Sequence, residues 1–196
     1  MQQWSVFSRP CRMLELDLSA FPVLAGPRLQ LRQFTLADAA FMHILRSDPR
    51  TMAHIGRPRT RDVADAEAFI LRNEADRMRN ESISWAITLK DDPALIGTIG
   101  FYRLKPEHHR GEVGYLLAPD HWGQGLMSEA LNTATAYGFG HLRFHSIEAV
   151  TDARNTRSRR LLERNGFLLE GLFKENFFWD DEFLDSAVYT KLATVK

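Results

Sequence analysis

The nine residues His121-Trp122-Gly123-Gln124-Gly125-Leu126-Met127-Ser128-Glu129 can hold an anion without any charged side chain. Glycines at 123 and 125 let backbone approach a ligand closely. The helix predicted to follow offers unpaired N–H groups and the positive end of its dipole, so a phosphate or pyrophosphate is the natural occupant. A P-loop is excluded, since it needs Gly-Lys-Ser/Thr and here Gly125 is followed by Leu126 and Met127. A dinucleotide-binding turn would need a third glycine where Ser128 stands. Two readings of the stretch stay open: a pyrophosphate held by backbone alone, and a structural turn without a ligand.

Other residues carry proton chemistry. Glu112 opens the apolar run that leads into the glycine turn and can serve as a general base, or simply be a solvated strand-end carboxylate. Asn155 and Ser158 are three residues apart and share a helix face if both lie in a first turn; Asn155 is also a good N-cap, and Ser158 can close it. His108-His109-Arg110 lacks a spaced carboxylate or cysteine partner and reads as a solvated loop rather than a metal site, and His141 and His145 read as surface residues. Tyr115 alternates to the face opposite Glu112 and reads as core. Phe177 to Phe183, with Asp180, Asp181 and Glu182, read either as the lining of a cationic substrate's entrance or as packing with a solvated charge run.

The 196 residues suit one domain with a short appendage: residues 1–27 read as an N-terminal extension over the surface, and the domain proper runs over 28–196. With 25 basic and 25 acidic residues, no global field argues for nucleic acid. Cys11, the one cysteine, excludes an intrachain disulfide and a thiolate-rich metal site and fits a reducing compartment. No window approaches a membrane span and the start lacks a leader pattern, so a cytoplasmic protein is expected, with no nucleic-acid or membrane partner; a homodimer is compatible with the sequence.

Periodicity supplies the elements that must position these residues. A strand from Leu29 to Phe34 precedes helices over 38–47 and from Asp62 or Asp65 to about Arg79. Strands at 84–89, 95–102 and 112–118 form a meander, and the helix after the glycine turn runs to Gly138 or Gly140. A strand at 146–150 then implies a parallel pairing with a crossover, followed by a short helix over 156–164 stopped at Asn165-Gly166. Strands at 167–170 and 186–192, joined by an aromatic and acidic connection from Phe177 to Phe183, close the chain. The order predicts an α+β fold: a single mixed, mostly antiparallel sheet with helices on both sides.

Several motifs recur in the right order: Gly114-Tyr115-Leu116, Trp122-Gly-Gln-Gly125 with Ser128-Glu-Ala130, Asn155-x-x-Ser158, Leu162-Glu163 and Gly166-Phe167-x-x-Glu170-Gly171. From about Leu29 to Leu192 the chain resembles the Gcn5-related N-acetyltransferases (GNAT), in the branch that includes the ribosomal-protein N-terminal acetyltransferases. The resemblance implies acetyl-CoA as co-substrate and an amine acceptor, without a metal. By it, the backbone of Gly123, Gln124, Gly125, Leu126, Met127 and Ser128 binds the pyrophosphate, and the pantetheine arm lies along a splayed strand 112–118. Asn155 would hydrogen-bond that arm and Ser158 would reach the thioester sulfur. The oxyanion would meet a backbone N–H near Leu116 or Leu117. Met127 stands where such families usually place Gly or Ala, so its side chain would have to point away from the ligand.

An α-amino group, with a pKa of about 7.7–8.0, is partly neutral near pH 7, whereas a lysine amine at about 10.4 needs more help. That makes a terminal amine the easier substrate, and the branch the chain resembles implies the N-terminal α-amino group of a ribosomal or other protein as acceptor. A small-molecule amine (polyamine, amino acid or antibiotic) and a non-catalytic acyl-CoA-binding module are the rival readings.

Overall fold

The computed structural model describes residues 13–193. The expectations about residues 1–12, including Cys11, lie outside them. The sheet has eight strands in the order β1-β2-β3-β4-β5-β6-β8-β7. They are β1 (Leu24–Ala25), β2 (Leu29–Arg32), β3 (Ile83–Leu89), β4 (Asp92–Lys105), β5 (Arg110–Leu117), β6 (Ser146–Asp152), β7 (Leu168–Trp179) and β8 (Glu182–Leu192). Five helices accompany them: α1 (Ala39–Ser47), α2 (Pro49–Met52), α3 (Val63–Met78), α4 (Leu126–Gly140) and α5 (Thr156–Arg164). Every pairing is antiparallel except β5 with β6.

Alternation along β3 and β4 divides the core between the two faces. Trp85, Ile87, Ile99 and Phe101 pack with Leu126, Ala130 and Leu131 of α4 and Leu162 of α5. Ala86 and Leu95 pack instead with Ala39 and Met42 of α1 and Ala66 and Ile70 of α3. Period-2 strands between period-3.6 helices yield this three-layer arrangement. Asp62 caps α3, its side chain accepting from the Asp65 N–H at 2.9 Å. Asn155 caps α5 in the same way toward Ser158, and Gly166 at φ +80° stops that helix.

Two expectations are corrected. The segment before Pro27 does not simply run over the surface. Leu18 is fully buried, Phe21 packs edge-on against Trp85, and β1 adds an edge strand to β2. Nor is the stretch Phe177 to Phe183 a connection between short strands. β7 and β8 form one long hairpin that turns at Asp180 and Asp181, both in the left-handed region at φ +52° and +59°. Acidic residues tolerate that conformation, and the strands gain register through the Phe178–Phe183 pair, whose rings lie 4.9 Å apart.

Candidate active site

The parallel partnership of β5 and β6 lasts only from Arg110↔Ser146 to Glu112↔Glu148. Past that point β5 continues to Leu117 on β4, while β6 follows β8 to Asp152. A wedge therefore opens beyond Glu112, and Gly114, Tyr115 and Leu116, in the middle of the sheet, are only half-buried. Ala118 N–H bonds the Ile96 carbonyl of β4 at 2.8 Å. Alternation then directs the N–H groups of Leu116 and Gly114 to β4 and those of Leu117 and Tyr115 into the wedge. Of the two positions expected near an oxyanion, Leu117 is the one whose N–H faces the gap.

The glycine turn lies just past the end of β5, at the wedge mouth. Gly123 and Gly125 adopt φ +76° and +75°, which a side chain would oppose by about 1–2 kcal/mol per residue. A Cβ at Gly123 would meet nothing within 4 Å, so the outer face of the turn is open to a ligand. The first bond of α4 runs from Glu129 N–H to Gly125 C=O, leaving the N–H groups of Leu126, Met127 and Ser128 without an intrahelical acceptor. Met127 itself is buried in the core, so its side chain is directed away from that face. Trp122 anchors the turn by donating its indole N–H to Leu117 C=O at 2.8 Å, and the Arg157 guanidinium stacks 4.0 Å over its ring.

Bracing contacts absent from the sequence expectation complete the turn. Glu129 accepts from the Arg28 and Leu29 backbone N–H groups at 2.7 and 3.0 Å and pairs with the Arg28 side chain at 2.9 Å. Arg28 also donates to Gln124 C=O at 3.0 Å. These contacts span about a hundred residues of sequence, which no local pattern signals. Ser128 Oγ donates to Asn165 Oδ1 at 2.7 Å, tying the start of α4 to the end of α5.

Two sets of proton-carrying groups face the wedge from opposite sides. On the α4–α5 side, Tyr115 and Ser158 share a hydrogen bond of 2.8 Å between their hydroxyls. Tyr115 is thus more than the core residue expected from alternation. Burial pushes its phenol up to about 12, only partly offset by Ser158, so it holds its proton at neutral pH. Asn155 uses Oδ1 for the cap, 3.0 Å from Ser158 N–H, and keeps its Nδ2 donors.

On the other side, Glu112 is 4% exposed and accepts from the Tyr102 hydroxyl at 2.9 Å and from Arg103 at 3.0 Å. It is no solvated strand end. Burial, then the Glu112 charge, push the Tyr102 phenol up, which keeps it a donor. Glu148 lies opposite Glu112 and pairs with Arg110. Arg103, Arg110, Glu112 and Glu148 line a shallow cleft at the closed end of the wedge. Two residues beyond Val150 on this face, Asp152 binds His54 and Arg154. The loop bearing His54 packs on the hairpin: a Cβ at Gly56 would fall 2.1 Å from the Phe177 ring.

The expected site thus divides between the mouth of the wedge (Gly123, Gln124, Gly125, Leu126, Met127, Ser128), its α5 flank (Asn155, Ser158) and its closed end (Glu112). His108, His141 and His145 stay apart from it; His141 stacks on Tyr137. Among the described residues, no cluster of three or more His, Cys, Asp or Glu could hold a metal, and no helix is long and apolar enough to cross a membrane.

The family profile for the acetyltransferase (GNAT) domain matches residues 28–168. An uncharacterized N-acetyltransferase of Bacillus subtilis, YoaA, is 34% identical over 170 residues, covering 87% of this chain and 96% of that protein. The ribosomal-protein-serine acetyltransferase of Escherichia coli is 37% identical over 100 residues, covering 50% of this chain and 55% of the relative. A GNAT-family acetyltransferase crystal structure from Bacillus anthracis superposes with a TM-score of 0.79 at 27% identity, over 87% of this chain and 98% of that one. A wedge with an open glycine turn at its mouth, in a chain so matched, makes this protein an acetyl-transferring enzyme of the GNAT family, in the branch that holds the ribosomal-protein acetyltransferases.

Proposed function

We propose that the protein transfers the acetyl group of acetyl-CoA directly to the α-amino group of a protein N-terminus, ribosomal proteins being the favoured class. The observation that carries this reading is the wedge between β5 and β6. It joins an anion-binding turn to a slot with a proton donor on one side and carboxylates on the other. The ribosomal-protein-serine acetyltransferase among the relatives supports the acceptor class. A cytoplasmic location fits such an acceptor.

In this mechanism the N–H groups of residues 123–128 bind the diphosphate, and Asn155 Nδ2 holds the pantetheine arm. The Leu117 N–H stabilises the oxyanion formed when the amine nitrogen attacks the thioester carbonyl. Ser158 gives its proton to the departing thiolate and recovers one from Tyr115 across their 2.8 Å bond. Glu112 accepts the proton released by the attacking nitrogen. It does so through water, because Tyr102 and Arg103 already bind its two oxygens. The test is release of free thiol from acetyl-CoA across peptides with free N-termini, their blocked counterparts and small amines. Turnover only with small amines would replace the protein acceptor by a small one, and no turnover with any amine would refute acetyl transfer.

A further inference from the structure

An acceptor that arrives as an ammonium must lose two protons. One goes in the attack itself, where the proposed base is Glu112. The other must leave earlier, so that nitrogen presents a lone pair. The carboxylates at the closed end of the wedge suit this first step poorly, since Arg103 already neutralises Glu112 and Arg110 neutralises Glu148.

At the open end the same face carries a different arrangement. His54, from the loop between α2 and α3, places Nδ1 3.2 Å from Oδ2 of Asp152, the last residue of β6. Asp152 is tightly oriented: its side chain is 5% exposed, Oδ1 accepts from the Arg154 N–H at 2.8 Å, and Oδ2 from the Arg154 guanidinium at 2.9 Å. Burial raises this carboxyl, but the bonds from Arg154 and His54 outweigh it and hold it below the usual carboxylate range, so it is an acceptor. Nδ1 is therefore the donor of this contact, and in the neutral ring Nε2 is the nitrogen that carries the lone pair. Among the described residues Nε2 has no hydrogen-bond partner, and the His54 side chain is 34% exposed. Phe177, lodged against Gly56, fixes the loop that carries it.

We infer that His54, oriented by Asp152, is the proton acceptor that converts the incoming ammonium to a free amine at the open end of the wedge. This rests on the acetyl-transfer reading above. In the step, an N–H bond of the ammonium breaks and its electron pair stays on the amine nitrogen. A proton is added to His54 Nε2, Asp152 stabilises the imidazolium formed, and water takes the proton onward. Two groups thus handle two protons: His54 before attack, and Glu112 during it.

The experiment compares wild type, His54→Gln, His54→Ala and Asp152→Asn with primary amines of graded basicity, from an α-amine (pKa of about 8) to a lysine-type amine (about 10.4). Acetyl-CoA affinity and melting temperature are measured in parallel. The expected result is a kcat/KM loss of about 10²-fold for the most basic acceptor in His54→Gln, shrinking as acceptor pKa falls. Acetyl-CoA affinity stays unchanged, and added imidazole restores turnover in His54→Ala. Asp152→Asn follows the same trend, because it leaves the ring without an anionic partner. An equal loss with every acceptor and no rescue by imidazole would make His54 a loop tether and overturn the inference. Wild-type turnover in His54→Gln would overturn it as well, with acetyl transfer left standing. A wild-type protein that acetylates no amine would sink both.

Discussion

Replacing Ser158 by Ala removes the partner of a phenol that desolvation pushes up to about 12, so the 2.8 Å bond to Tyr115 sets the size of the effect. A desolvated hydroxyl left unpaired costs about 1–3 kcal/mol, whereas Tyr115→Phe leaves only the Ser158 hydroxyl, which can turn to water, and costs about 0.5–1.5 kcal/mol. The double variant leaves nothing unpaired and should be less destabilised than the sum of the singles. Activity follows a different rule. If the two hydroxyls form one proton path to the thiolate, each single variant slows turnover by about 10²-fold, and the double variant is scarcely slower than Ser158→Ala. Thiol release at saturating acetyl-CoA and acceptor, equilibrium acetyl-CoA binding and denaturant melts on all four proteins complete the cycle. Losses in turnover that multiply, or a Tyr115→Phe variant with wild-type turnover, would refute the shared path. The pair would then be a packing contact between β5 and α5.

Gly125→Val should weaken acetyl-CoA binding at least tenfold, because φ +75° strains any side chain by about 1–2 kcal/mol and the branched group covers the backbone amides; isothermal titration reads this, and unchanged affinity would remove the turn from the site. Glu112→Gln should cut turnover by about 10²-fold while acetyl-CoA affinity holds, measured by steady-state kinetics beside titration; an unaltered rate would dismiss Glu112 as base. Raising pH should destabilise the protein through Tyr115. The unfolded phenol ionises near pH 10 and the folded one near 12, so the contribution is full below pH 10 and is lost as pH rises to 12. Denaturant melts at pH 9 and 11.5 should therefore show Tyr115→Phe losing less stability than wild type, by at most about 2 kcal/mol. Gly56→Val should force the Phe177 ring aside and displace the His54 loop, raising KM for the acceptor more than for acetyl-CoA; equal effects on both would place the loop outside the acceptor path.

Local chemistry made much of the molecule legible in the sequence. The Asp62 and Asn155 caps, the left-handed glycines at 123, 125 and 166, and the period change from β5 to α4 are properties of a few adjacent residues, so the elements and the glycine turn could be read directly. Tertiary structure alone decided what crosses long separations. The divergence of β6 from β5 after Glu148 opens the wedge, turns the Leu117 N–H into it and leaves that of Leu116 on β4. Packing changed the character of single residues: Glu112 became a buried ion pair, Tyr115 a donor joined to Ser158, and Met127 a core side chain facing away from the turn. The pairs His54–Asp152 and Arg28–Glu129 join residues about a hundred positions apart. Their contact energy depends on where the whole sheet places two backbones, and a pattern read along one chain does not contain that.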